Sequence, residues 1–158
     1  MINYITKDIT TVEHGVIAHG VNCQGKMNAG VAKAIRAKWP NVYEIYRDMC
    51  TRYKPALLLG KCDFIIIVER PHVSYAKLFV ANLFTQLTYG RKKMVYASVD
   101  AIDEAIGQCI IFCREMQLPL YMPRIGCGLG GLNWDTDVLP LVEKYAAFNG
   151  VPVFVCDL

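Results

Sequence analysis

At 158 residues the chain is long enough to bury a core, and one domain spanning 1–158 is expected. Hydrophobic residues make up 54% and charged residues 20%, which excludes a disordered tail, and no apolar run approaches the roughly 20 residues that span a bilayer. A formal net charge of +3, carried by dispersed basic residues, fits a small anionic ligand better than a polyanion. Seven cysteines without paired CxxC spacing read as free thiols of a reducing compartment. Met1 to Asp8 lacks the basic-then-apolar form of a leader, so a cytoplasmic location is expected. The His and Cys residues show no ligand spacing, so no metal site is expected.

Ile2 to Thr6 reads as a short strand, and Asp8-Ile9-Thr10 as a turn or helix start. Val16 to Val21 is a continuous apolar run, the pattern of a strand buried on both faces. It leads into the polar, Gly-bearing loop Asn22 to Gly30. Val31, Ala34 and Ile35 then recur at helical spacing until Trp39-Pro40 stops the helix. Asn41 is placed to cap a second helix carrying Val42, Ile45, Tyr46 and Met49. Leu57 to Val68 is β-rich and broken at Gly60-Lys61, with a turn expected at Arg70-Pro71-His72. Lys77 to Phe84 is a further strand, and Tyr89 to Met94 an exposed loop. Ser98 caps a long amphipathic helix that buries Ile102, Ala105, Ile106, Cys109, Ile110 and Cys113. Leu118 to Met122, Asp135 to Phe148 and Val151 to Cys156 complete a strand–helix–strand ending, with Asn149-Gly150 closing the helix.

Strands and helices alternate, and the strands are nearly all apolar. This predicts an α/β fold of three layers, with a central mixed, mostly parallel sheet between helices. Ligands of such folds bind beyond the carboxyl ends of strands. Pro123 to Trp134 leaves the strand Leu118 to Met122 with four glycines in six residues, Gly126 to Gly131. A strand, a Gly-rich loop and a helix turn successive amide N–H groups toward one point, which makes a phosphate cradle. The string matches neither the dinucleotide fingerprint nor the Walker loop.

Three separated motifs resemble the macrodomain family, the ADP-ribose-binding fold. Asp8-Ile9-Thr10 resembles its Gly-Asp-Ile-Thr, with Lys7 in place of the glycine. Ala18-His19-Gly20-Val21-Asn22 followed by Asn28-Ala29-Gly30-Val31-Ala32 resembles its first loop and helix start. Arg124 to Leu129 with Trp134 is especially similar to the branch of terminal ADP-ribose protein glycohydrolase and the yeast-type ADP-ribose-1″-phosphate phosphatases.

The resemblance implies a role for each position. Asp8 would accept from the adenine amino group and Ile9 would offer its amide; the alternative for Asp8 is a helix cap. Asn22 would hold the distal ribose, or would close a turn. Asn28, Ala29, Gly30 and Val31 would meet one phosphate at the helix start. Arg124, Ile125, Gly126, Cys127, Gly128, Leu129 and Gly130 would cradle the other, with Cys127 a small loop residue rather than a nucleophile.

The implied partners are ADP-ribose and its derivatives, or ADP-ribosylated protein or nucleic acid. A monomer with no cofactor and no membrane contact is expected. In the glycohydrolase branch a lysine forms an adduct with the distal ribose and a loop aspartate resolves it. Lys93 is the matching lysine, but the aspartate falls at Gly130, which can do no acid–base work.

Removal of phosphate from ADP-ribose-1″-phosphate is therefore the leading expectation, with His19 as catalytic base or acid near neutral pH. Asp135 is either a helix cap or a stand-in for the missing aspartate. De-ADP-ribosylation and non-catalytic reading of ADP-ribose are the alternatives. Binding of RNA through Tyr89, Arg91, Lys92 and Lys93 is a more distant one.

Overall fold

The computed structural model describes residues 2–70 and 76–158. In chain order they form β1 (Ile2–Thr6), β2 (Gly15–Asn22), α1 (Gly30–Lys38), α2 (Pro40–Arg52) and α3 (Pro55–Leu58). Then come β3 (Cys62–Arg70), β4 (Ala76–Gln86), α4 (Val99–Met116), β5 (Leu120–Met122), α5 (Leu139–Asn149) and β6 (Val153–Asp157). A 3₁₀ turn covers Ile9–Thr11, and a π-helical turn covers Trp134–Val138.

The strands make one sheet in the order β1-β6-β5-β2-β4-β3. All pair in parallel except β3, which runs antiparallel to β4 at the edge. This is the mixed, mostly parallel sheet that the alternation of elements predicts. Side chains alternate across a strand, and β2 uses both faces. Val16 and Ala18 enter a core with Ile102, Ile106 and Ile110 of α4 and Val142 of α5. Ile17 and Val21 enter a second core with Ile35 of α1 and Val42 and Tyr46 of α2. Helices therefore cover both faces, in three layers. No helix among the described residues is long and apolar enough to cross a membrane.

Several boundaries differ from the sequence reading, and prolines explain most of them. The helix assigned to an Asn41 cap starts two residues earlier, with Trp39 as its cap and Pro40 in its first turn, where a missing N–H costs nothing. Leu57 and Leu58 belong to the one-turn helix α3 behind Pro55, not to a strand. Leu58 is buried, and a short buried apolar run does not distinguish helix from strand. The helix expected from Asp135 begins as the π-helical turn, since Pro140 cannot donate to the carbonyl of Thr136. The turn expected at Arg70-Pro71-His72 lies outside the described residues beyond Arg70.

Adjacent strands β5 and β2 are about a hundred residues apart in sequence, yet their carboxyl ends release the two Gly-bearing loops side by side. The carboxyl end of β4 lies on the other side of β2.

Candidate functional site

These three strand ends frame one cleft of about 620 Å³, a volume that suits a small ligand. Its first wall is the start of α1. Ala29, the N-cap residue, offers no side-chain acceptor, and Gly30 reaches the helix with φ +59°. Among the described residues the amides of Gly30, Val31 and Ala32 have no protein acceptor, and all three residues line the cleft. An uncapped helix start of this kind presents donors and the positive end of the helix dipole to an anion.

The opposite wall is the loop after β5. The amides of Ile125, Cys127, Gly131 and Leu132 donate to Pro123, Arg124, Gly128 and Gly126, and these bonds close the loop on itself. The amides of Gly126, Gly128, Leu129 and Gly130 have no acceptor among the described residues, and all four line the cleft. The expectation for Cys127 is corrected here. Its amide is already bonded to the Arg124 carbonyl, and the residue does not line the cleft. Its thiol reaches the Ile125 carbonyl at 3.3 Å and is pushed up to about 11, first by burial and then by Asp137, so it is no thiolate.

Contact with the backbone makes glycine necessary at Gly130 of this loop, as positive φ does at Gly126 and Gly131. A Cβ on Gly130 would sit 2.6 Å from the Gly126 carbonyl oxygen. The loop that forms the amide wall therefore excludes an aspartate at this position. A Cβ on Gly128 would meet nothing within 4 Å.

The side chains divide into those that reach the cleft and those that hold it. Lys26, Arg91 and Arg124 supply cations to its lining, with Asn28, Thr85, Gln86 and Tyr89; no carboxylate is among the described lining residues. Arg124 is fixed by two hydrogen bonds to Asp157, at 3.0 and 3.1 Å, which raise the guanidinium pKa. Sequence reasoning assigned Lys26, Thr85 and Gln86 no part in ligand binding. Thr85 and Gln86 end β4 and Lys26 sits within the first loop, so the carboxyl-end rule applied to a third strand would have pointed to β4.

Asn22 uses its side chain within its own loop. Oδ1 accepts from the Gln24 amide at 2.9 Å and from Tyr46 Oη at 2.8 Å, and Nδ2 donates to the Lys26 carbonyl at 2.8 Å. Asn22 also lines the cleft, and these bonds match the second of its two expected roles, a residue that closes a turn.

Asp8 caps the 3₁₀ turn, with Oδ1 accepting from the Thr10 amide at 3.0 Å and its hydroxyl at 2.7 Å. These hydrogen bonds, the hydroxyl first, lower its carboxyl pKa. Asp8 and Ile9 sit at the same sheet edge but do not line the cleft.

The three expected catalytic residues fare differently. His19 lines the cleft but is 1% exposed, with Nε2 2.5 Å from Asn82 Oδ1. Burial depresses its imidazole pKa to about 4 against a smaller opposing effect of the Asn82 bond, so the expectation of titration near neutral pH is corrected. Lys93 and Asp135 are exposed and neither lines the cleft. The expectation of Asp135 as a helix cap is corrected: the cap is Asn133, whose Oδ1 accepts from the Thr136 amide at 3.1 Å, and Asp135 lies in the turn that follows. Among the described residues no three His, Cys, Asp or Glu side chains converge to hold a metal ion.

A mixed sheet covered on both faces, with an amide-lined cleft at its carboxyl edge, defines a ligand-binding α/β protein built around that edge. The comparisons agree on the family, although no family model matches the chain. The chain is 27% identical to the ADP-ribose 1″-phosphate phosphatase of Meyerozyma guilliermondii, covering 94% of this chain and 96% of that protein. It is 26% identical to the DNA ADP-ribosyl glycohydrolase of Mycobacterium tuberculosis, where 98% of this chain matches 42% of the longer protein. The solved macrodomain protein from Streptomyces coelicolor superposes with a TM-score of 0.78 at 26% identity, covering 100% of this chain and 99% of that one. The chain belongs to the macrodomain family.

Proposed function

We propose that the cleft binds ADP-ribose across its two amide walls and that the protein releases phosphate from ADP-ribose-1″-phosphate. The observation that carries this reading is the pairing of two uncommitted amide sets across one cleft, Gly30 to Ala32 against Gly126 with Gly128 to Gly130. A diphosphate offers each wall one anion, which satisfies donors that otherwise lack a protein partner. Asp8 keeps Oδ2 for the adenine amino group beyond the cleft's edge, and the Ile9 amide meets the ring. Asn22 acts indirectly, by shaping the loop that carries Lys26 and Asn28.

The cations of the lining favour a dianionic phosphate at the distal ribose, which Lys26 and Arg91 neutralise. His19 enters neutral at pH 7, so it serves as proton acceptor rather than donor. The name of the yeast relative supports the same reaction. Lys93 and Asp135 have no step in this reading.

The test is phosphate release from ADP-ribose-1″-phosphate beside calorimetric binding of ADP-ribose. Both are expected. Binding without release would leave a reader of ADP-ribose, and the absence of binding would remove the diphosphate assignment.

A further inference from the structure

Three of the basic residues that are dispersed in sequence are gathered by the fold outside the cleft. A groove of about 760 Å³ lies along α1 and α2 and meets the cleft at Asn28, which lines both. Residues three and four apart share a helix face, and such faces bring Lys33 and Arg36 of α1 together with Tyr43, Glu44 and Arg47 of α2. The Arg36 guanidinium stands 3.7 Å from the centre of the Tyr43 ring, and that of Arg47 stands 5.7 Å from it. Arg36 also donates to Asn28 Oδ1 at 3.3 Å, and Tyr43 Oη donates to the Gly25 carbonyl, so guanidinium and ring are both held in place. Among the described residues Lys33, Arg36 and Arg47 form no ion pair. Glu44 is the one carboxylate among the described lining residues, and the neighbouring Asp48 is taken by Arg52 at 3.0 Å. The groove therefore carries unneutralised positive charge beside an aromatic ring.

We propose that this groove is a docking site for a single nucleic-acid strand. A compact anion is best met by donors that converge on one point, as on the cleft's amide walls. Cations on two helices with a ring beside them match instead a chain in which phosphates alternate with flat bases. Guanidinium groups pair with phosphate through parallel N–H bonds and stack on bases through their faces. An acidic peptide would use the charges alone and leave the stacking surface idle, so the strand is the better fit. Because groove and cleft share Asn28, a strand docked here reaches the cleft's edge without filling it. Apart from Asn28 the groove is built from residues with no part in phosphate release, and the site stands whether or not that reading does.

The test is fluorescence anisotropy of a labelled oligothymidylate titrated with the full chain, with and without saturating ADP-ribose. Thymine keeps the probe from competing as an adenine. Binding is expected, undiminished by ADP-ribose, with log affinity falling against log salt at a slope of about −2, from roughly 0.7 for each of three phosphates. Arg47→Ala should weaken binding about fivefold at low salt and reduce the slope by about 0.7. Lys144→Ala removes the same charge from α5, over the opposite face of the sheet, and should change affinity by less than about twofold. Glu44→Gln should tighten binding about twofold, a gain that no loss of folding can imitate. Absence of binding, equal losses for Arg47→Ala and Lys144→Ala, or displacement of the strand by ADP-ribose would overturn the proposal. Tighter binding of a polyglutamate of matching charge would overturn it too, and would make the groove a peptide site.

Discussion

The loop from Asn22 to Gly30 owes its shape to side chains. Asn22 closes it from within, Tyr46 Oη donates from α2 to the Asn22 carbonyl at 2.7 Å, and Tyr43 Oη reaches the Gly25 carbonyl at 3.1 Å. The loop from Pro123 to Gly131 owes its shape to the main chain, through amide-to-carbonyl bonds and glycines with φ of +79° at 126 and +86° at 131. Both leave amides free toward the cleft. The first has a helix dipole behind its amides and polar side chains beneath it, so its tolerance depends on which side chain is touched. The second has no such support, and any Cβ in the wrong place removes its shape.

The sharpest way to break that contrast is Gly130→Ala. With the Cβ 2.6 Å from the Gly126 oxygen, the wall cannot keep its form. Loss of three amide contacts at roughly 1.5 kcal/mol each predicts ADP-ribose affinity reduced about a thousandfold. Gly128→Ala is the control, expected to alter affinity far less because its Cβ meets nothing within 4 Å. Equal calorimetric affinities for the two variants would refute a loop held by backbone geometry.

The strand that feeds the first loop carries a buried ionisable group, so this side of the cleft should respond to pH. His19 has a folded pKa of about 4 against 6.5 for the free group. The folded state resists the proton that the unfolded chain accepts. Stability from this group is therefore complete above pH 6.5 and is lost as pH falls from 6.5 toward 4, by about 3 kcal/mol in all. Denaturant unfolding of His19→Gln should lack that acid limb. A variant with the same limb would assign the loss to other groups.

Tyr46→Phe removes a smaller support. Its hydroxyl is buried against Asn22, and Phe leaves that carbonyl without its donor. Stability should fall by about 1–2 kcal/mol, with ADP-ribose affinity weakened by less than about tenfold. Unchanged affinity together with lost stability would mean that the α1 amides hold their place without the loop below them.

Much of this arrangement was legible before any coordinates. The α/β alternation, the central buried strand Val16 to Val21 and the glycine spacing of the second loop specify period, burial and backbone freedom, which are local properties. Ser98 capped its helix as read, with Oγ accepting from Ala101 at 3.2 Å. What stayed hidden depended on who stands beside whom. Asn22 carries the same amide whether or not it closes its own loop, and only the fold brings Tyr46, 24 residues later, against it. His19 presented a motif position, whereas its depressed pKa comes from enclosure between strands and helices. Cys127 stood amid glycines, and nothing in the string showed that its amide, like that of Ile125, bonds within the loop while those of Gly126 and Gly128 do not.

Lys93 gives the smallest expected effect and the cleanest test of which hydrolytic chemistry the second loop permits. It is exposed, it does not line the cleft, and its chain neighbours pack elsewhere: the Lys92 amide donates to Tyr96 Oη at 3.3 Å. The aspartate that a lysyl adduct would need is excluded at Gly130 by the backbone itself. Lys93→Ala should therefore change kcat/KM for phosphate release by less than about twofold, the range of an ordinary surface substitution. A loss of tenfold or more would require the segment around Lys93 to close over bound ligand. That closure would move Tyr96 and Ala97, whose amides both donate to the Gly130 carbonyl at 2.9 and 3.1 Å. The backbone-held wall would then be the moving part of the cleft, and the side-chain-held wall the fixed one.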